Sequence, residues 1–360
     1  METTTMGASA PAATRHEFRF DGSGGEYFKI WIVNLALTIV TLGIYSAWAK
    51  VRNQRYFYGN SFVAGHNFEY HGDPVRILIG RLIAVGLLLA YSITSALSPV
   101  GALVWIVLFI AATPWLIRSS FRFNARNTSY RNLRFDFHGT YGGAAKAFLL
   151  WPLLVLVTLG TTIPLAHRAR QYYQINNHSF GSKQFEAEYG AGQIYMIYLA
   201  AFGILVAGVI VIGILFAAAG IGFGGFMPGS PPPEPSPAMI GTFLVIGAAY
   251  LTMFLFLSSF LTAMTFNLAL NSTKLDGNIA LEARLSPLAL CWIMFSNTFL
   301  TIVTLGLYTP WAKVRLSRYY LDHMAVTGSD SLDGFIASAA ASGSAIGEEV
   351  ATFFDFDLSL

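Results

Sequence analysis

Charge is what this chain of 360 residues has least of: 22 Lys and Arg with 19 Asp and Glu amount to 11% of it, against about 25% in an ordinary soluble domain. That scarcity excludes a soluble nucleotide-binding enzyme or a nucleic-acid binder. With 54% apolar residues and a mean hydropathy of +0.54, the composition is that of a membrane protein. A single cysteine, Cys291, leaves no internal disulfide and no cysteine metal cluster. Carboxylates are missing from the long apolar runs, apart from Glu234 in a proline-rich turn. This argues against a proton or sodium relay of the usual pump type. Zinc-protease, P-loop, dinucleotide and nucleophile-elbow motifs are missing as well. No catalytic residue, cofactor or metal site is therefore expected.

What is present is apolar sequence in blocks. Seven runs of about 20 residues, each long enough for a hydrocarbon core of about 30 Å, lie near residues 28–49, 77–97, 100–117, 144–166, 194–222, 238–260 and 287–312. An internal repeat reorganises them. Residues 34–56, NLALTIVTLGIYSAWAKVRNQRY, and 297–319, NTFLTIVTLGLYTPWAKVRLSRY, are identical at 16 of 23 positions at a constant offset of 263. A weaker copy, VTLGTTIPLAHRARQYY, begins at Val157. A second element recurs beside it: FRFDG at Phe18, FEYHG at Phe68, FDFHG at Phe135 and FEAEYG at Phe185. Alternation of apolar and polar residues marks a half-buried strand, and the glycine marks the turn out of it.

These elements predict strand pairs, for example Phe121–Ala125 with Leu133–Phe137 across the turn-rich RNTSYRN, alternating with five membrane excursions. The excursions are alternately short and long: 28–49, 77–117, 144–166, 194–260 and 287–312. Each long one holds two spans. Each short one is interrupted at Thr-Leu-Gly. Arg81 is the one basic residue a full turn inside an apolar run, Lys29 and Lys146 standing at the edges of theirs, and the outer turns at 95–101 and 228–237 carry none. If the short segments dip in and return, every strand pair and every other basic residue falls on one side, the cytoplasmic one by the positive-inside rule. The expected fold is thus a multi-pass α-helical membrane protein with internal repeats and a cytoplasmic layer of short β-strand pairs. It has four full spans and three re-entrant helices broken at Gly43, Gly160 and Gly306; the alternative is seven full spans. The expected organisation is a disordered tail (1–14), one membrane domain (15–327) with repeats at 15–142, 143–284 and 285–327, and a C-terminal interfacial helix with an acidic tail (328–360).

The strand-glycine element followed by TLGIYSAWAKVRNQRY and FEYHG resembles the YjgN-like family, bacterial inner-membrane proteins grouped under a domain of unknown function. The resemblance covers nearly the whole chain and implies an inner-membrane location, with no reaction or substrate. Ala47 departs from the family pattern, which has proline where the last copy has Pro310.

Three groups of residues are the functional candidates. Asn34, Thr38 and Thr41, with Asn297, Thr301 and Thr304, form matched polar stripes at i, i+4, i+7, suited to helix-helix bonding or to lining a polar pathway. Gly43, Gly160 and Gly306 are the candidate turns. Trp48, Lys50, Arg52 and Arg55, with Trp311, Lys313, Arg315 and Arg318, set an indole at headgroup level beside cations, a pattern for anionic lipid headgroups or for topological anchoring. His71 and His138 precede the glycine in equivalent strand elements, which indicates a shared structural role. Two function classes follow: a non-enzymatic channel or carrier for a small solute or lipid, and a membrane scaffold that binds lipid. Membrane lipids are the expected partner.

Overall fold

The computed structural model describes residues 14–218, 237–328, 334–337 and 339. The expected tail up to residue 13, the proline-rich turn at Pro228 and the acids Glu348, Glu349, Asp355 and Asp357 lie outside the described residues. The chain divides into two compact units, Met1–Tyr189 with Ala269–Ala283 and Pro310–Leu360, and Gly190–Leu268 with Arg284–Thr309.

All ten strands belong to the first unit. Four follow the strand-glycine pattern, β1 (Thr14–Phe20), β3 (His66–Tyr70), β5 (Leu133–Phe137) and β7 (Lys183–Ala187), and β9 (Ile279–Ala283) takes the equivalent place without the glycine. Between them come β2 (Ser61–Val63), β4 (Thr128–Tyr130), β6 (His178–Phe180), β8 (Thr273–Leu275) and β10 (Met324–Gly328). Every neighbouring pair is antiparallel, and β1 pairs with both β2 and β10, so the sheet closes into a barrel. The expected layer of separate strand pairs is therefore wrong. Each pair would have left two rows of unpaired backbone groups, and closure removes every such edge.

The individual pair proposed for residues 121–137 is wrong as well. Residues 121–125 continue a helix to Arg126, and the partner of β5 lies inside the presumed turn, at Thr128–Tyr130. Phe121 and Ala125 share a helical face and pack against Phe137. An alternation of only five residues did not separate the two periods.

Strand alternation carries one side chain in two to the barrel interior. Phe18, Phe68, Phe135, Phe185 and Leu281 from the odd strands join Val63, Tyr130 and Phe180 among the even ones in a single cluster. Neighbouring phenylalanine rings stand 6.3, 6.4 and 6.4 Å apart around the bore. Phe335 and Ile336, from the short helical stretch at 334–337, are buried in the same cluster. The expected interfacial helix thus contributes to the barrel core. The barrel is a packed core and not a pore.

The odd and even strands run in opposite directions, so all odd strands end at one rim. Tight turns close the opposite rim, with positive φ at Ala64 and Gly65, and at Arg131 and Asn132, as two-residue hairpins require. At the first rim the chain leaves five times, and helix caps follow the strand directly. Ser23 accepts the Glu26 amide to open α1 (Gly24–Val40), and Asp73 accepts the Val75 amide ahead of Pro74 to open α3 (Pro74–Leu97). Thr140 and Ser286 repeat the arrangement for α5 (Tyr141–Ala145) and α10 (Pro287–Val303).

Four helices among the described residues are long and apolar enough to cross a membrane: α3, α4 (Pro99–Arg126), and the apolar parts of α8 (Ala191–Ala218) and α9 (Pro237–Asn271). The short segments hold shorter helices: α1, α10 and the run Tyr141–Val157 have 17 residues each. That run joins α5, a π-helical turn at Lys146–Leu150 and α6 (Trp151–Val157). The helices that return to the barrel after the short segments are α2 (Ser46–Gly59), α7 (Ile163–Ile175) and α11 (Thr309–Asp322).

Candidate functional site

The three Thr-Leu-Gly breaks are one structure used three times. Gly43, Gly160 and Gly306 have φ of +94°, +88° and +91°, each preceded by a leucine at +50° or +51°. The glycine N–H reaches back five residues, to the carbonyls of Thr38 at 2.8 Å, Val155 at 2.8 Å and Thr301 at 2.7 Å, the Schellman closure of a helix end. Nothing lies within 4 Å of a Cβ built at Gly43 or Gly306, so backbone conformation and not packing demands glycine there. The break is unchanged where Ala47 replaces the proline found as Pro310, so the glycine sets it. Thr41 and Thr304 serve the turn. Their hydroxyls donate to Leu37 O and Leu300 O at 2.7 Å and accept the amides of Tyr45 and Tyr308 at 2.9 and 3.0 Å. At the apex Leu42, Leu159 and Leu305 are 94%, 92% and 94% exposed.

In the first copy the amide nitrogen of Asn34 and the hydroxyl of Thr38 are also locally bonded, while Asn34 Oδ1 has no partner among the described residues. Asn34, 4% exposed, donates from Nδ2 to Asn53 Oδ1 on α2 at 3.0 Å, and Thr38 donates to Asn34 O at 2.6 Å. Asn34 thereby ties the two helices of the first segment together. Asn297 is buried and Thr301 is half-buried on α10.

The basic block divides by role. Arg55 Nε donates to Tyr70 O at 3.4 Å and Arg318 Nη2 donates to Gly22 O at 2.8 Å. The same relation recurs as Arg118 Nε to Gly139 O at 2.7 Å, Arg168 Nε to Tyr189 O at 3.1 Å, and Asn267 Nδ2 to Leu285 O at 2.9 Å. A helix returning to the barrel holds the end of the next odd strand, and the last holds the first. Lys50, Arg52 and Lys313 are exposed, with no ion pair among the described residues. Trp48 packs beside Tyr45 and the cluster of Ala47, Val51 and Tyr70. Trp311 packs on Phe28 at 4.9 Å and over Gly24, whose added Cβ would lie 2.2 Å from the indole. Arg81 turns out of its span and bonds the Ser46 hydroxyl at the start of α2. His71 and His138 do the same thing in successive repeats: each Nε2 meets a mid-strand serine hydroxyl, Ser129 at 2.7 Å and Ser179 at 3.1 Å.

Between α1, α2 and α11 lies a cleft of about 410 Å³ lined by Lys50, Lys313, Asn53, Gln54, Ser46 and Tyr27, among others. Tyr27 is fully buried, stacked on Tyr56 at 5.2 Å and edge-on to Phe57 at 4.7 Å, and its hydroxyl has no hydrogen-bond partner among the described residues. Sequence reasoning reached the two lysines and missed the four polar neighbours Ser46, Asn53, Gln54 and Tyr27. The signal was in the repeat itself, because Asn53 stands where the last copy has Leu316, and Tyr27 where it has Leu290.

The chain is 33% identical over 147 residues to the "Inner membrane protein YjgN" of Escherichia coli strain K12, and 30% identical over 145 residues to the protein of that name in Salmonella typhimurium strain LT2. These stretches cover 41% and 40% of this chain and 37% of each relative, so the likeness spans well under half of those proteins. No solved structure matches. The model of the family described as "Bacterial protein of unknown function (DUF898)" matches residues 15–353, and the chain belongs to that family.

Proposed function

We propose that this protein is a non-enzymatic scaffold of the bacterial inner membrane that gathers anionic phospholipid headgroups, with its barrel on the cytoplasmic side. The observation that carries the reading is the triple of exposed apices. Leu42, Leu159 and Leu305 are over 90% exposed on rigid turns, flanked by the equally apolar Val40, Leu156 and Ile302. Burying one such side chain gains about 1.5–3 kcal/mol, so three apices on the short segments favour insertion into lipid. Behind the first apex come Trp48, Lys50 and Arg52, and behind the last Trp311 and Lys313. Each cation near an anionic surface adds about 1 kcal/mol.

The alternative, a channel or carrier, has less to stand on. The barrel bore is filled by aromatic rings, and the polar stripe of the first segment is bonded within its own pair of helices. The deciding experiment is lipid retention. Protein extracted with its native lipid annulus is expected to carry phosphatidylglycerol and cardiolipin above their bulk proportion, and Arg52→Gln with Arg315→Gln is expected to lower that excess. Retention in bulk proportion would refute the scaffold reading, and saturable solute flux in liposomes would replace it with the carrier.

A further inference from the structure

We propose that the cleft between α1, α2 and α11 is a phosphate-binding site, taking a phosphate group carried by a lipid headgroup or by a small soluble ester. Only its lipid form rests on the scaffold reading above.

Four observations converge on it. First, Lys50 and Lys313 line the same cleft from different helices, with no ion pair among the described residues. Two ammonium groups facing one space repel each other unless an anion lies between them. Second, Arg81 meets Ser46 at the edge of the cleft and adds a third positive charge. Third, Tyr27 contributes a hydroxyl that is buried and unpartnered. A buried donor without an acceptor is costly, and a ligand oxygen would satisfy it.

The fourth observation is internal to the chain. The last repeat copies the first closely, yet at the positions of Tyr27 and Asn53 it has Leu290 and Leu316, and the middle copy has Ala144 in place of Tyr27. Leu290 and Ala144 are both fully buried. An apolar side chain therefore satisfies the packing at that position in the sister repeats. The hydroxyl of Tyr27 is therefore an addition that the packing does not require, and it lines the same space as Asn53, whose Oδ1 holds Asn34, and the two lysines.

The chemistry selects phosphate over a carboxylate. A tetrahedral anion offers oxygens in several directions at once, which suits two ammonium groups, a phenol and the carboxamides of Asn53 and Gln54 arriving from three helices.

The test uses the full chain, purified in a neutral detergent, with three probes: inorganic phosphate, glycerol 3-phosphate and dihexanoyl phosphatidylglycerol. Binding is read from the fluorescence of Trp48 and Trp311 and from calorimetry. Saturable binding of at least one probe is expected. Lys50→Gln with Lys313→Gln should weaken it by roughly tenfold or more, and Tyr27→Phe by about tenfold. Tyr27→Phe also separates a ligand role from a structural one. Without ligand it should melt no lower than wild type, because it removes an unpartnered hydroxyl and leaves the ring. Lys274→Gln, on the barrel surface, should change nothing. Binding of the lipid alone identifies a headgroup site, and binding of the soluble esters identifies a metabolite site; either supports the proposal. Absence of saturable binding by all three, or binding unchanged in the lysine pair, overturns it. Because Arg52 and Arg315 do not line the cleft, bulk lipid retention and cleft binding can fail independently, and the failure of one reading leaves the other intact.

Discussion

Arg318 donates to the carbonyl of Gly22 at 2.8 Å across 296 residues of sequence, so the last helix of the chain holds the end of its first strand. Arg55, Arg118, Arg168 and Asn267 make the same bond to the strand that follows each of them. Arg318→Ala should therefore lower stability by about 1–3 kcal/mol, as loss of a charge-assisted bond does. Arg52→Ala should change it by under about 0.5 kcal/mol, the usual range for an exposed surface position. Thermal unfolding in detergent measures both, and equal melting temperatures would show that the bond contributes nothing.

Gly43 and Gly86 make a matched pair. Neither has an atom within 4 Å of a Cβ built on it, but only Gly43 has positive φ. Gly43→Ala should cost about 1–2 kcal/mol through the left-handed backbone alone. Gly86→Ala, inside α3, should be neutral or gain up to about 1 kcal/mol from helix propensity. Indistinguishable melting temperatures for the two variants would remove the backbone argument.

The proposed orientation is tested with single cysteines in a Cys291→Ser background. Ser98, in the turn between α3 and α4, should react with an impermeant thiol reagent added outside intact cells. Ser182 and Asn278, at the barrel rim closed by tight turns, should react only after the membrane is permeabilised. The reverse pattern would place the barrel outside.

His178 lies at the start of β6, where burial pushes its pKa down against smaller upward pulls from the Gln174 carbonyl and Asp136. The folded state therefore keeps this imidazole neutral at pH values where the unfolded chain, with a pKa of about 6.5, takes up a proton. Stability should be flat above about pH 6.5 and fall as the pH drops below it. His178→Gln should flatten that acid limb, as read from melting temperatures between pH 8 and 5. His167, also held low by burial, leaves part of the slope in place.

Period-two alternation located β1, β3, β5 and β7, and their closing glycines located four of the points where the chain leaves the barrel; β9, which has no closing glycine, was not marked. The repeat offset matched the turns at Gly43 and Gly306 before any coordinate. β2, β4, β6 and β8 were illegible because they are three-residue strings such as Thr128-Ser129-Tyr130, too short for a period. Barrel closure was illegible for another reason: it depends on β1 meeting β10, a pairing separated by nearly the whole chain. The bonds of Arg55 and Arg318 to the strand ends were illegible because their acceptors are backbone carbonyls, which no side-chain pattern marks. Tyr27 and Asn53 could have been found by asking where two near-identical copies differ as well as where they agree.

The excursions alternate short and long, and there are five of them around a closed ring. A two-fold alternation cannot close on an odd number, so one junction must join like to like. That junction is where α11, the helix after the last short segment, meets the first, and it is there that Trp311 lies over Gly24 and that Lys313 shares a cleft with Lys50. Elsewhere around the ring a short segment is flanked by a long one on each side in sequence. Parity alone thus makes one seam unlike the other four and gives the ring of strands a single distinguished site without any further insertion in the chain.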